Sequence, residues 1–125
     1  MSVMVVVPDS EEGVRALEAG VAEATDRSTT LVVVNLTLGR IDISGVPEGL
    51  LAEMITRSGK GDRDPVDTVL RALESRPEVD RLVIGVARRS PVGKFLLGSI
   101  SQRLILEAEV PVLCVKRPLA GGDGR

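Results

Sequence analysis

Leu82-Val83-Ile84-Gly85 opens the stretch that decides the fold, and Val112-Leu113-Cys114-Val115 closes it. Between them lie a basic loop through Arg88, Arg89, Pro91, Gly93 and Lys94, the pair Gly98-Ser99, and a run with helical character. Apolar run, loop, helix and apolar run is the pattern of a βαβ unit. Leu82 to Val86 reads as a strand, 99–109 as a helix and 112–116 as a second strand. The helix begins on glycine and serine, where the first backbone N–H groups have no intrahelical partner and an anion can sit.

Upstream, Val3 to Val7 is continuously apolar, as expected of a central strand buried on both faces. Pro8-Asp9-Ser10 stops it, and Asp9 with Glu12, or Ser10 itself, is placed to cap the next helix. Val14, Leu17, Val21 and Ala24 then recur at helical spacing. Leu31 to Leu36 is a second buried strand, with Asn35 near its end expected to satisfy loop backbone. Residues 37–49, with Gly39, Gly45 and Pro47, read as an irregular loop. Leu50 to Thr56 reads as a short helix, and 58–64 as a flexible polar stretch. Asp64 suits an N-cap and Pro65 the first helical position. Val66, Val69, Leu70 and Leu73 form the stripe of that helix, which Pro77 ends. Pro118 to Arg125 reads as a frayed tail.

Strands alternating with helices predict an α/β fold: a doubly wound, mainly parallel sheet of four or five strands with helices on both faces, in one domain spanning 1–117. Such sheets bind ligands outside the carboxyl ends of their strands, where the strand order reverses. Here those ends are Pro8-Asp9, Leu36-Thr37 and Gly85-Val86.

Composition removes several function classes. The 125 residues are 43% hydrophobic and 27% charged, enough for a self-supporting core. Phe95 is the one aromatic, so no platform for stacking bases is expected. The net charge of −2 gives no general attraction to nucleic acid or anionic membrane. Cys114 is the one cysteine and there is no histidine, which excludes an internal disulfide and the usual zinc sets. Cys114 is expected as a small core hydrophobe. No apolar run approaches a membrane span, and a cytoplasmic location is the expectation.

Charge is unevenly placed. Arg81 to Leu106 holds Arg81, Arg88, Arg89, Lys94 and Arg103 and no acid, so a local +5 leaves −7 on the rest of the −2 chain. That suggests either an anionic partner or a solvated basic loop. Ser99 with Gln102 fits a capping box, which leaves two readings of Gly98, Ser99 and Ile100: a plain helix cap or a phosphate cradle. Gly93-Lys94 is followed by Phe95 rather than a hydroxyl residue, and Gly59-Lys60-Gly61 lacks the preceding glycine, so neither is a Walker loop.

These residues resemble the universal stress protein family. Its signature is a glycine, two residues, a glycine, nine residues, then glycine with serine or threonine. The spacing lands here on Gly85, Arg88, Gly98 and Ser99. Ile100 to Leu104 and Val110 to Val115 look like the family's closing helix and last strand. Val5 to Glu12 with Arg15-Ala16-Leu17 looks like its first strand and helix. The resemblance implies an adenine nucleotide, ATP or AMP, with magnesium accompanying the nucleotide. By position, Leu36 offers backbone groups to adenine, Gly85 lies beneath the ribose and phosphates, and Gly98, Ser99 and Ile100 hold the phosphates. Asp9, Arg88, Arg89 and Lys94 complete the candidate set. The chain departs from the family at three points. Arg88 replaces the second glycine, Pro8 takes the place of an aspartate, with Asp9 one residue later, and the third strand has no good counterpart in 56–64.

Three function classes follow. The first is a regulatory domain that binds an adenine nucleotide in the cleft without efficient catalysis. The second is a ligand-free dimeric stress-response module with a degenerate site, pairing through Val112 to Val115. An enzyme is the weakest, because there is no histidine for acid–base work and no pair of carboxylates flanks the basic loop.

Overall fold

The computed structural model describes residues 1–8, 11–37, 39–57, 64–85, 88–89, 95–96 and 98–116. The elements are β1 (Ser2–Val7), α1 (Glu11–Asp26), β2 (Thr30–Asn35), β3 (Leu51–Thr56), α2 (Pro65–Glu74), β4 (Val79–Gly85), β5 (Arg88–Arg89), β6 (Phe95–Leu96), α3 (Ser99–Glu107) and β7 (Val112–Val115). Five strands form one sheet in the order β3-β2-β1-β4-β7, and every pairing in it is parallel. From β1 the chain winds outward through β2 to β3, then returns to β4 on the other side and ends at β7. The order therefore reverses between β1 and β4.

The apolar runs are central because each is covered on both faces. Alternate residues of β1 separate into two cores. Met4 and Val6 face α2 and α3 with Val32, Val34, Leu82, Ile84, Val66, Val69 and Leu104. Val3, Val5 and Val7 face α1 with Leu31, Val33, Val83, Ala16 and Ala24. Asp64 caps α2, its Oδ1 accepting from the Val66 N–H at 2.9 Å, and Pro65 opens the helix as expected. β4 starts three residues before the expected strand, and α3 ends at Glu107 rather than 109.

Two expectations are corrected. Leu50 to Thr56 is not a helix: 51–56 is the edge strand β3, so the sheet has its full five strands and no shortened edge. The misreading has a physical source. The β2–β3 register shifts between Leu31 and Val32, pairing Leu31 with Leu51 but Val32 with Glu53. The extra residue, Ala52, puts Leu51 and Met54 on one face, both against the α1-side core. A bulged strand thus shows the i, i+3 spacing of a helix. Six residues would also make a poor isolated helix, whereas the strand gains backbone pairing and an Arg76–Glu53 ion pair whose Nε–Oε1 distance is 2.8 Å.

The second correction concerns α1. Of the expected stripe, Leu17, Val21 and Ala24 pack in the α1-side core, but Val14 is 61% exposed. The buried positions are Gly13, Ala16, Gly20 and Ala24. Small residues let the helix lie close to β1: a Cβ on Gly20 would stand 2.9 Å from the Val5 Cβ.

Candidate functional site

The site is assembled from strand ends. β1 stops at Val7 because Pro8 has no N–H to continue a ladder. The Val7 carbonyl accepts from the Leu36 N–H at 2.9 Å, which binds the exit of β2 to that of β1. Asn35, buried at the end of β2, turns the chain. Its Nδ2 donates to the Gly39 carbonyl at 2.8 Å, and its Oδ1 accepts from the Thr37 N–H at 2.9 Å and the Thr37 hydroxyl at 2.7 Å. Asn35 thus satisfies loop backbone, as expected. The loop it shapes forms one wall of a cavity of about 350 Å³, lined by Val7, Pro8, Gly13, Val14, Thr37 and Ile41 among others. That volume is within the range of small-molecule sites. Pro8 is half-buried and walls the hollow without filling it. Gly13 is required by close approach: a Cβ there would stand 2.3 Å from the Pro8 carbonyl oxygen.

Arg40 and Asp42 supply charge at the rim. The Ser44 hydroxyl and its N–H, the latter at 2.9 Å, hold the Asp42 carboxyl below the usual carboxylate range, so the rim keeps an anion beside its cation.

The second half of the site is the end of β4 and the start of α3. Gly85 pairs with Val115 at the carboxyl end of the sheet. The Ser101 hydroxyl donates to the Gly85 carbonyl at 3.0 Å and fixes the first turn of α3 against that strand. Nothing in the sequence pattern singled out Ser101. The capping-box expectation is corrected here. Gly98, not Ser99, is the N-cap, with φ −70° and ψ 164° and no side-chain capping bond. The helix ladder starts with the Gln102 N–H donating to the Gly98 carbonyl at 2.9 Å. Ser99 is the first helical residue, exposed, and its hydroxyl has no hydrogen-bond partner among the described residues. The first-turn N–H groups are therefore not consumed by a side-chain cap, and no acid in that turn opposes an anion.

Of the candidate residues, Leu36, Gly85, Gly98, Ser99 and Ile100 all lie at the carboxyl end of the sheet or on the helix that starts there. Leu36 follows β2 and Gly85 ends β4, with β1 between them, so two strand spacings separate them, about 10 Å. Leu36 has committed groups: its N–H bonds Val7, and its carbonyl accepts from Arg57 Nη1 at 3.3 Å. Arg88 and Arg89 form β5, a two-residue strand antiparallel to β6, with Arg88 opposite Leu96. Arg88 thus lies in extended strand backbone, which any residue can adopt. Asp9 and Lys94 lie outside the described residues, as do the Asp9/Ser10 cap of α1, the stretch 58–63 and the tail 118–125.

The model of the universal stress protein family matches residues 52–116, just over half of the chain. The chain belongs to the universal stress protein family. A universal stress protein of Mycolicibacterium smegmatis is 40% identical over 127 residues, covering 90% of this chain and 97% of that one. Among solved structures, the universal stress protein from Archaeoglobus fulgidus superimposes with a TM-score of 0.66 at 26% identity, over 93% of this chain and 98% of that chain. The structure of the Archaeoglobus fulgidus universal stress protein in complex with dAMP gives 0.62 at 21% identity, over the same shares, and supports the fold. The stretch matched by the family model includes β3, the strand that sequence spacing had disguised.

Proposed function

We propose that this universal stress domain binds an adenine nucleotide, ATP or AMP, at the carboxyl ends of β1, β2 and β4 without efficient catalysis. One observation carries the reading. An open, largely apolar cavity at the ends of β1 and β2 lies across β1 from a helix N-terminus whose hydroxyl and N–H groups have not been spent on capping. The base enters the cavity beside Val14 and Ile41. Leu36 and Gly85 supply backbone to the nucleoside, and Gly98, Ser99 and Ile100 take the phosphates. Asp9, Arg88, Arg89 and Lys94 complete the rim, with magnesium carried in on the phosphates. The dAMP complex of the Archaeoglobus relative supports this ligand class. The domain acts by binding, as a cytoplasmic regulator that pairs with itself through β7.

Native mass spectrometry tests the ligand. With millimolar ATP and magnesium, the expected result is one added nucleotide per chain. A bare chain under those conditions overturns the reading.

A second reading keeps the dimer without the ligand. It is favoured by Leu36, whose N–H and carbonyl already have protein partners. It predicts no nucleotide adduct and a dimer by light scattering; a monomer at micromolar concentration contradicts it.

A further inference from the structure

Opposite the nucleotide cleft, at the amino ends of the strands, lies a groove of about 460 Å³ between the last turns of α2 and α3. Leu70, Leu73, Val79 and Val110 give it an apolar floor, and Glu74, Glu107 and Glu109 an acidic rim. Among the described residues its one lining cation, Arg76, is bonded to Glu53. Glu107 accepts from Arg103 at 3.1 Å, but among the described residues Glu74 and Glu109 have no cationic partner. Both helices end here, so their carbonyl termini add negative potential, offset at α2 by Arg71 in its last turn but not at α3, which has no basic residue there. The chemistry fits a segment that carries a cation next to an apolar side chain.

β7 is the neighbouring sheet edge, with all four residues half-buried, and Leu106 at the end of α3 is 75% exposed. If two copies meet on this edge by a closed two-fold, hydrogen bonding runs the strands antiparallel. A parallel two-fold pair would set identical residues level, with donors facing donors. Antiparallel pairing sets Val115 of one copy against Val112 of the other. The residues that follow Val115 then emerge at the amino end of the other copy's β7, next to Glu109 and Val110. In their own chain they leave from the far end of β7, about 13 Å away.

We infer that the groove receives Arg117-Pro118-Leu119 of a second copy, exchanged reciprocally across the β7 dimer. The inference rests on the dimer proposed above. Three or four extended residues span about 10–14 Å, enough to pass from the sheet edge to the groove. Arg117 meets Glu109 and Glu74, and Leu119 covers the floor at Leu73 and Val110. Charge complementarity selects this segment, and the reciprocal exchange makes the dimer interface larger than four strand residues alone.

Sedimentation equilibrium on the full chain provides the test. Glu74→Lys with Glu109→Lys is expected to weaken the dimer by about tenfold or more. Adding Arg117→Glu is expected to restore most of the loss, a rescue that damaged folding would not give. A dimer constant unmoved by the double reversal overturns the docked segment while leaving the β7 dimer standing. A wild-type chain that is monomeric at micromolar concentration overturns the dimer itself. Mixing Cys114→Ser/Glu109→Cys with Cys114→Ser/Leu119→Cys under mild oxidation fixes the direction. A covalent heterodimer supports the exchange. A doubly substituted chain (Glu109→Cys, Leu119→Cys) that closes on itself as a monomer contradicts it.

Discussion

Ser99 and Ser101 stand two residues apart and have opposite roles. Ser101 spends its hydroxyl on the Gly85 carbonyl and holds helix to strand. Losing that bond in Ser101→Ala is expected to cost about 1 kcal/mol in denaturant unfolding. Ser99 is exposed and caps nothing. Ser99→Ala is therefore expected to leave stability within about 0.5 kcal/mol, as for ordinary surface changes, while weakening ATP binding in a titration calorimeter. A variant that loses stability and keeps affinity would return Ser99 to the role of a cap. Gly13 gives a third contrast. Alanine is normally the better helix residue, yet Gly13→Ala drives a Cβ toward the Pro8 carbonyl and is expected to lower the melting temperature. Leu104, fully buried on the sheet-facing side of α3, is the reference point: Leu104→Ala is expected to cost about 2–5 kcal/mol.

At the scale of elements, legibility followed how directly side chains report their surroundings. The runs Val3 to Val7, Leu31 to Leu36 and Leu82 to Ile84 are apolar on both faces, and no alternative element fits them. Asp64-Pro65 announced α2 because cap and first-turn chemistry are local. β3 was hidden because one bulged residue converts strand alternation into helical spacing, and its pairing partner lies far away in sequence. On α1 the expected stripe holds at Leu17, Val21 and Ala24 and fails at Val14. The fully buried positions include Gly20 and two alanines, whose lack of bulk an apolar stripe does not report, while Val14 stays outside on the cavity wall. The start of α3 at Ser99 is as expected, but its cap is Gly98 rather than Ser99, which decides whether the Ser99 hydroxyl is occupied. Asp64 also joins elements, since its carboxylate pairs with Arg103 of α3. Its pKa is held below the ordinary value first by the Val66 N–H and then by Arg103. Glu53 is lowered likewise by Arg76. A depressed carboxylate stabilises the fold above its unfolded pKa, and that contribution is lost as pH falls through the folded value. Stability should therefore be flat from neutral pH to about 5 and fall below about 4. Asp64→Asn should reduce the fall, and an unchanged acid limb in urea titrations would contradict the assigned role.

For the whole molecule, the sheet order sets what the site can be. β1 and β4 mark the reversal, and the cavity at the end of β1 and the α3 N-terminus behind β4 open on that same end of the sheet. The amino end carries the opposite electrostatics, with helix C-termini and carboxylates around an apolar groove. One end is therefore suited to a polyanion and the other to a cationic chain segment, which explains how a net charge of −2 is compatible with a nucleotide ligand. Thermal unfolding followed across a series of ATP–magnesium concentrations tests this most directly. A ligand at one hundred times its Kd adds about 2.7 kcal/mol to the folded state. The account predicts a melting temperature that climbs by several degrees and keeps rising with the logarithm of ATP. A melting temperature unmoved at millimolar ATP would contradict it.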